Sequence, residues 1–394
     1  MKSKYSSPGR QQGAVTLFMS VIVLALITIV AFYTTRTVLF ENKVQANNYR
    51  AKQAFEAAEA AYSEAVTCLN NGNSAATCEN VTFPAGSNLS ADVDITVDAD
   101  NVHTVESTGY SEDFRAKHTI FHTLVQAQPL PNAPLTPITA KGGFIVNGSA
   151  TVYNPEGSST IWAGGDVDLG SNNSTGTYVA NPADANYPAC LDSAMTCSGT
   201  QSSNKAVEGL DVVESDADLA NLSDAELFEH FFGFPMAEYV SKFATIELDI
   251  SAGDSISSID NAVGEVVYIE TGGSLSIGSS DLSTVGCSVD ITGINADSNQ
   301  LPNKTCTDNP MKPTVVIING DVSFSGNPSF YGLLYINGAL AGNGTPTVEG
   351  AIVMTGSSGS GGSVDVWYNS DVLERLNELG DFFGLSGGWR DWTN

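Results

Sequence analysis

Residues 14–33 read AVTLFMSVIVLALITIVAFY, a stretch of twenty residues without a charged side chain. At about 1.5 Å per residue, a helix of this length spans the roughly 30 Å hydrocarbon core of a membrane. Lys2, Lys4 and Arg10 precede the stretch, and no acidic residue does. Because such positive charges stay on the cytoplasmic side, we predict one membrane-spanning helix over residues 14–35, followed by an exported region.

The helical pattern continues well beyond the apolar stretch. No glycine or proline occurs between Ala14 and Asn71, and we therefore predict one helix over residues 14–71. A secretory signal peptide, the alternative, has a shorter apolar region followed by small residues at its cleavage site. The second half of the helix has an Ala-rich face that can pack on its own domain or on neighbouring helices. This face comprises Ala51, Ala54, Phe55, Ala58, Ala61, Tyr62, Ala65 and Leu69.

Two short motifs in this region resemble a known family. RQQGAV at residues 10–15, followed by the apolar stretch, resembles the leader and cleavage site of type IV prepilins. FENKVQANNYRAKQAFEAAEAA at residues 40–61 is similar to the N-terminal region of PilX-type minor pilins. The resemblance, confined to roughly the first sixth of the chain, implies a leader over residues 1–13. It also implies cleavage after Gly13 by a prepilin peptidase and N-methylation of Ala14.

The same resemblance implies other pilins as partners, contacted through the N-terminal helix in a filament. The helix residues that this assigns to filament packing are Phe18, Ala51, Phe55, Ala58 and Tyr62. Two positions depart from the family pattern. The first mature residue would be Ala14 instead of the commoner Phe or Met, and the fifth would be Phe18, where major pilins carry a glutamate that pairs with a neighbour's terminal amine. The absence of this glutamate at Phe18 fits a minor, priming or tip-proximal subunit.

The composition supports an exported, β-rich body. The 394 residues include 44 acidic and 16 basic side chains, a formal net charge of −28. Nonspecific nucleic-acid binding depends on lysine and arginine, so we expect no nucleic-acid partner. Charged residues make up 15% of the chain and glycine occurs 38 times, which is typical of a β-rich and turn-rich protein after the initial helix.

Six cysteines in an exported chain are candidates for disulfides. They lie in three local couples, and the preferred of the fifteen possible connectivities pairs each couple. These couples are Cys68–Cys78, Cys190–Cys197 and Cys287–Cys306. Zinc sites normally have closely spaced pairs such as CxxC or nearby histidines, and the sequence has neither pattern at these cysteines.

Residues 72–127 alternate in polarity like β-strands and are predicted to form a small sheet on the helix. Gly109 and the Ser-Glu-Asp cluster at residues 111–113 indicate a hairpin turn. The stretch QPLPNAPLTP follows at residues 128–137, and its four prolines predict a linker over residues 128–140.

An internal repeat of 18 residues begins at Val315. Its three copies are VVIINGDVSFSGNPSFYG, LLYINGALAGNGTPTVEG and AIVMTGSSGSGGSVDVWY, in which glycines recur at the same columns. A glycine roughly every six residues predicts three corners per coil, and stacked coils pair strand to strand. We expect Asn319 and Asn337 to adopt left-handed conformations before the corner glycines. A Gly-rich antiparallel sandwich is the alternative.

The fold class expected from these patterns is α+β. A long pilin-type helix and a small β region precede a Gly-rich β-solenoid over residues 141–370, with a helical insertion near residues 215–243. Ser223 or Asp224 can cap the inserted helix. The strands that begin at Val315 are apolar on both faces, so the insertion or the C-terminal helix should cover them. A C-terminal helix and a Trp-rich tail with Trp389 and Trp392 are expected at residues 371–394.

No motif of an enzyme is present, and we expect neither catalysis nor a cofactor, with Ca²⁺ as the alternative. His118 and His122 have a spacing that suits a metal on a helix, but their strand context predicts solvent-exposed side chains about 13 Å apart. The acidic pairs could be solvated, bind Ca²⁺ or serve a glycosidase. These pairs are Asp166 with Asp168, and Asp249 with Asp254.

The sequence therefore predicts a minor pilin-like subunit of a type IV pilus, which takes part in assembly and can display an adhesive solenoid. The alternatives are a minor pseudopilin of a type II secretion system and a membrane-tethered solenoid that binds or acts on carbohydrate. The expected location is the inner membrane by a single pass, and the cell surface after assembly. A surface glycan or protein is the possible ligand, with Tyr331, Tyr335 and Trp367 as binding or core residues.

Overall fold

A computed structural model describes residues 12–391, with side chains from residue 15 onward. The intervening gaps are residues 85–86, 99–100, 146–149, 157–158, 171–174, 182, 184–198, 283–284, 288–311 and 360–363. The chain divides into two compact units. The first comprises Met1–Val125 and Phe382–Asn394, and the second comprises Gln126–Asp381. The architecture is α+β, a long N-terminal apolar helix followed by a mostly β region.

The elements follow in chain order. The helices are α1 (Gln12–Asn70), α2 (Ala75–Cys78), α3 (Ala217–Asn221), α4 (Asp224–Phe232), α5 (Met236–Phe243) and α6 (Ser370–Arg375). Short 3-10 helices lie at Ile256–Ile259 and Leu376–Leu379. The first strands are β1 (Ser90–Val97), β2 (His103–Tyr110), β3 (Lys117–Gln126), β4 (Ile138–Ala140), β5 (Phe144–Ile145), β6 (Thr151–Asn154), β7 (Ile161–Ala163), β8 (Val167–Asp168), β9 (Gly176–Ala180) and β10 (Gly199–Asn204). The remaining strands are β11 (Val212–Val213), β12 (Ile246–Asp249), β13 (Val266–Ile277), β14 (Thr314–Phe324), β15 (Ser329–Asn337), β16 (Leu340–Gly342), β17 (Thr347–Met354), β18 (Asp365–Trp367) and β19 (Phe382–Gly384).

The first unit consists of α1 and a four-stranded sheet in the order β1-β2-β3-β19. Helix α1 ends within one residue of the predicted position, where Gly72 adopts a positive φ of 76°. The Cys68–Cys78 disulfide ties its last turn to α2, as the pairing of local couples predicted. Strands β2 and β3 are antiparallel and joined by the turn expected at residues 111–113, in which the Ser111 amide donates to the Ala116 carbonyl at 2.9 Å. Gly109, which was also assigned to this turn, lies within β2 opposite His118.

The second unit is built on parallel strands that pair at the spacing of the sequence repeat. Val315 of β14 lies opposite Leu333 of β15, which lies opposite Ala351 of β17. Each step along this ladder is therefore 18 residues. Strand β14 continues past Gly320 and pairs with β16, so one coil contributes to more than one stretch of the ladder.

The repeated glycines stack directly on one another. A Cβ atom added to Gly338 would lie 2.6 Å from the carbonyl carbon of Gly320, and one added to Gly356 would lie 2.7 Å from that of Gly338. Gly332 and Gly350 form a second column, with φ values of 136° and 128°. Only glycine fits these columns, because the backbones of successive coils occupy the space of a side chain.

The asparagines beside these corners have a different role from the expected one. Neither Asn319 nor Asn337 has a positive φ. Instead, Asn337 Nδ2 donates to Asn319 Oδ1 at 2.7 Å, and Asn319 Nδ2 donates to Glu270 Oε2 at 2.7 Å. Because identical residues recur every 18 positions, their amides come into register and bond from coil to coil.

The strands that are apolar on both faces are covered as predicted. One face, with Val316, Ile318 and Leu334, lies in the interior of the parallel stack. The opposite face packs against α4, α5 and the C-terminal helical segment. The buried side chains on this face include Val315, Ile317, Leu333, Tyr335, Phe228, Phe232, Tyr239, Leu373 and Leu376. Ser223 caps α4 through a capping box with Glu226.

The predicted linker is part of the second unit. Leu130 and Ile138 are fully buried, and β4 pairs in parallel with both β17 and β7. The prolines suit this location because they need only an extended backbone. The carbonyl of Pro137 accepts a bond from the Ile352 amide at 2.8 Å, so the segment still takes part in the ladder.

The C-terminal region, which was predicted as a single segment over residues 371–394, is divided between the two units. Helix α6 belongs to the second unit, whereas Phe382–Asn394 belongs to the first. There the tail pairs along β3, with Leu385 donating to the Thr123 carbonyl and Phe121 donating to the Arg390 carbonyl, both at 2.8 Å. The tail thereby satisfies backbone groups that would leave β3 as an open edge. Trp392 lies outside the described residues.

Replacing a corner glycine should destabilise the second unit. We expect Gly338→Ala to lower the free energy of unfolding by about 2–3 kcal/mol, because its Cβ would overlap the Gly320 backbone. Denaturant unfolding followed by circular dichroism measures this change. Gly273→Ala is the matched control, since nothing lies within 4 Å of its added Cβ, and it should change stability by less than about 0.5 kcal/mol. Equal effects of the two substitutions would contradict the stacked-corner interpretation.

Candidate interaction surface on the N-terminal helix

Helix α1 has an uncovered half and a packed half. Every side chain from Val15 to Tyr49 is exposed within the described structure. From Ala54 onward one face is buried, and the alanines at positions 54, 57, 58, 61 and 65 are all 0% exposed. At about 1.5 Å per residue, the uncovered part is about 50 Å long. It is long and apolar enough to cross a membrane, which indicates a single membrane anchor.

The packed half is fixed by very close backbone contact with β2. A Cβ atom added to Gly109 would lie 2.1 Å from the carbonyl oxygen of Ala54. Ser107 Oγ donates to the Ala58 carbonyl at 2.8 Å. At the boundary between the two halves, Arg50 Nε lies 2.6 Å from Asp113 Oδ2 on the hairpin turn. The sheet therefore holds α1 firmly from Arg50 onward.

Only some of the residues predicted to pack in a filament remain accessible. Phe18 is 66% exposed and Ala51 is exposed. Ala58 is wholly buried under the chain's own sheet, and Phe55 and Tyr62 are half-buried beneath β3. Ala58 therefore offers no surface to a partner in this structure, and filament packing through the other four residues stays a prediction. Small residues permit close backbone approach, and the chain's own strand occupies that space.

Polar groups within the apolar stretch are satisfied inside the helix. Ser20 Oγ donates to the Leu17 carbonyl at 2.8 Å, and Thr28 Oγ1 donates to the Leu24 carbonyl at 2.8 Å. Thr34 Oγ1 bonds the Val30 carbonyl in the same way at 2.9 Å. These hydrogen bonds inside the helix satisfy the hydroxyl groups, and they therefore lower the free-energy cost of placing the stretch in lipid.

A second apolar surface on α1, beyond residue 35, was missed by the sequence analysis, which considered only the Ala-rich face. Its side chains are between 41% and 66% exposed and comprise Val38, Leu39, Phe40, Val44 and Tyr49. Basic residues accompany it, because residues 36–52 contain four lysines and arginines and a single acid, Glu41. Large apolar side chains in a charged helical stretch are the signal that could have identified this surface.

His118 and His122 were predicted to face solvent, but in the structure they do not. Both lie on β3 and point at α1, where His118 packs edge-on against Phe55 and His122 stacks on Tyr62 with ring centroids 3.6 Å apart. Neither Nε2 atom has a hydrogen-bond partner among the described residues. Burial lowers the pKa of His122 from its ordinary 6.5, with Glu59 opposing this shift. Burial, with a smaller contribution from Glu59, raises the pKa of Tyr62.

The remaining candidate residues have structural roles where they are described. Tyr331, Tyr335 and Trp367 are at most 5% exposed and belong to the core, so they offer no binding surface. Cys287 is disulfide-bonded, whereas Cys190, Cys197 and Cys306 lie outside the described residues, and the last two pairings stay predictions.

The acidic pairs bond to neighbouring groups of the fold. Asp166 accepts a bond from Ser215 Oγ at 3.0 Å, and Asp168 accepts one from the Gly170 amide at 2.9 Å. Asp249 accepts from Ser251 Oγ, and its own amide donates to Asp254 at 2.8 Å. Within the described residues, no group of three or more His, Cys, Asp or Glu side chains is placed to hold a metal ion.

Comparison with known proteins identifies the class of the N-terminal segment. Residues 12–63 match the family model for the PilX N-terminal region. The match begins just before Gly13 and includes both the uncovered half of α1 and most of its packed half. The N-terminal helical segment of the chain is thus similar to that of PilX-type proteins.

Other comparisons are more distant. The competence-associated pilin ComZ from Thermus thermophilus is similar at 13% identity and a TM-score of 0.24. The alignment covers 87% of this chain and 97% of that one. A TM-score this low does not establish a shared fold. No curated protein matches the chain.

The half-buried His122 should make the first unit sensitive to acid. Its folded pKa is lowered, so the unfolded chain takes up the proton first as the pH falls. Stability should be complete above the ordinary histidine pKa of about 6.5 and decrease as the pH falls below it. Denaturant unfolding at several pH values, followed by loss of the helical circular dichroism signal to which α1 contributes most, measures this. His122→Phe should flatten the profile, whereas His230→Phe, at an exposed histidine of the second unit, should not. An unchanged profile in His122→Phe would exclude His122 as its source.

Proposed function

We propose that this protein is a minor pilin-like subunit of a type IV pilus that takes part in pilus assembly. The observation that carries the proposal is the match of residues 12–63 to the PilX N-terminal region. That segment forms one helix whose first half is entirely exposed, as expected of a surface that other subunits cover. Partner pilins would bury the apolar side chains that the chain itself leaves open.

Processing would release the helix from its leader. A prepilin peptidase would cleave after Gly13, and the new terminus at Ala14 would be methylated. The protein would first reside in the inner membrane by a single pass, with its C-terminal body exported, and reach the cell surface after assembly. Phe18 offers no carboxylate to a neighbour's terminal amine, which favours a minor subunit over a repeating one.

We further propose that the parallel stack is a β-solenoid with an adhesive role. The 18-residue register and the stacked corner glycines support the solenoid interpretation. A rigid stack of paired coils is suited to hold a binding surface away from the membrane. We propose no catalytic role, since the carboxylate pairs bond within the fold.

The site of processing can be tested by one substitution in the leader. In wild-type protein, intact mass and amino-terminal sequencing should show a chain that begins at methylated Ala14. Gly13→Ser should retain the leader, and Gly9→Ser should be processed normally. A wild-type chain that is intact through Lys2, or cut well beyond Tyr33, would exclude the prepilin interpretation.

The role in assembly can be tested in cells that lack the gene. Wild-type protein should restore surface pili. Leu39→Ser with Phe40→Ser should reduce them by about tenfold or more, because each lost apolar burial is worth about 1.5–3 kcal/mol. Phe114→Ser, which removes a ring that is 68% exposed but lies outside the helix, is the control and should restore pili fully. Unchanged piliation with lost protein secretion in the deletion would favour a type II pseudopilin instead. Altered polysaccharide turnover with unchanged piliation would favour the tethered carbohydrate-binding alternative.

A further inference from the structure

The second unit contains an open groove of about 1000 Å³. Its walls come from the Pro-rich segment, β7, β11, the end of α4 and the chain before α6. The residues that line it include Leu135, Trp162, Val213, Phe231, Tyr368 and Glu156. A volume of this size and a mostly apolar lining are typical of ligand-binding sites.

The walls are held in place by hydrogen bonds. Trp162 Nε1 donates to Asp216 Oδ2 at 2.9 Å, which fixes the plane of the half-buried indole. The Tyr368 hydroxyl donates to the Pro134 carbonyl at 2.9 Å. Asn132 Nδ2 donates to the His230 carbonyl at 2.7 Å, joining the Pro-rich segment to α4. A preformed groove of this kind loses little conformational entropy when it binds a ligand.

The apolar side chains at the groove are unusually exposed. Leu135 is 81% exposed although its neighbours Pro134 and Thr136 are buried, so the backbone holds this side chain outward. Val213, on the other side, is 37% exposed. Exposed leucine and valine side chains and a half-buried tryptophan around one concave surface indicate a site that a partner covers.

The hydrogen bonds of the walls favour an apolar ligand over a sugar. The indole NH of Trp162 and the hydroxyl of Tyr368 are already used within the fold, and the hydroxyls of Thr136 and Thr139 bond to each other at 2.9 Å. A sugar placed there would bury hydroxyl groups without partners, at about 1–3 kcal/mol each. A large apolar side chain carries no such cost.

The charge around the groove favours a basic ligand. Among the described residues that line the groove, Glu156 is acidic and none is lysine or arginine. The second unit as a whole carries 31 acidic and six basic side chains. A field of this sign attracts cationic partners and accelerates their association.

We propose that this groove binds a polypeptide segment of a partner protein in which a large apolar side chain is flanked by lysine or arginine. The apolar side chain lies between Leu135, Trp162 and Val213, and the flanking cations face Glu156 and the acidic surface around it. This proposal rests on the proposed display of the second unit, for which it names the class of partner.

The test uses the full chain in zwitterionic nanodiscs and the labelled peptide acetyl-Gly-Lys-Lys-Leu-Phe-Lys-Lys-Gly-amide as the probe. Fluorescence anisotropy, corrected for empty nanodiscs, should show saturable binding that weakens as salt increases. Replacing the Leu-Phe pair of the peptide by Ser-Ser, or its lysines by glutamates, should abolish binding. Because the assay needs no pilus, its failure is distinct from a failure in piliation.

Three protein variants locate the site. Leu135→Ser and Val213→Ser should each weaken binding by about tenfold, since each removes apolar area from the contact. Leu210→Ser changes a side chain that is 99% exposed in the same unit but outside the groove, and it should bind like wild type. Both groove positions are exposed, so these variants should retain the wild-type circular dichroism spectrum.

Several results would overturn the proposal. Absence of saturable binding to wild-type protein would exclude it, and so would an equal loss of binding in Leu210→Ser and Leu135→Ser. Binding of neutral maltohexaose that is lost in Leu135→Ser, with no binding of the peptide, would replace the peptide by a glycan as the ligand of this groove.

Discussion

Direct contact between backbones, with no side chain between them, is the constraint on which both units depend. In the first unit, Gly109 of β2 lies so close to α1 that any Cβ would overlap the Ala54 carbonyl. In the second unit, the backbone of Gly338 packs directly against that of Gly320, and the backbone of Gly356 packs directly against that of Gly338. Close contacts of this kind gain packing and hydrogen bonds, but they tolerate only the smallest residues. The abundance of glycine and alanine in the chain follows from them.

The close approach in the first unit also determines which part of α1 is available to partners. The sheet covers one face of the helix from Ala54 onward and leaves residues 15–49 open. The open part is apolar, and its only charged residues are Arg36, Glu41 and Lys43. The rest of the chain is strongly acidic. A nearly uncharged, apolar stretch of helix is therefore joined to a strongly acidic remainder, and that stretch is where the chain leaves large apolar side chains exposed.

Local patterns predicted the elements better than the partners of individual side chains. The length of α1, the β2–β3 hairpin, the cap at Ser223 and the 18-residue spacing follow from residue spacing and turn chemistry. The environment of His118 and His122 could not be predicted in this way, because strand alternation places both side chains on one face of the strand but does not indicate which element covers that face. Asn319 and Asn337 likewise fit a corner by residue type, but their amides found partners in the adjacent coil. The groove beside Trp162 is formed by segments distant in sequence, so no motif marks it.

The sequence by itself determined an uncharged membrane-length stretch, an uninterrupted helix and a repeat whose glycines recur at the corners. These features are local, since they depend on hydropathy, on the absence of helix breakers and on fixed spacing. Only the tertiary structure decided that the Pro-rich segment joins the second unit, that the tail pairs with β3, and that Ala58 faces the chain's own sheet. These outcomes depend on which open strand edge or apolar face needs a partner. Such edges and faces form only when segments distant in sequence pack together, and no local sequence pattern predicts which segments will do so.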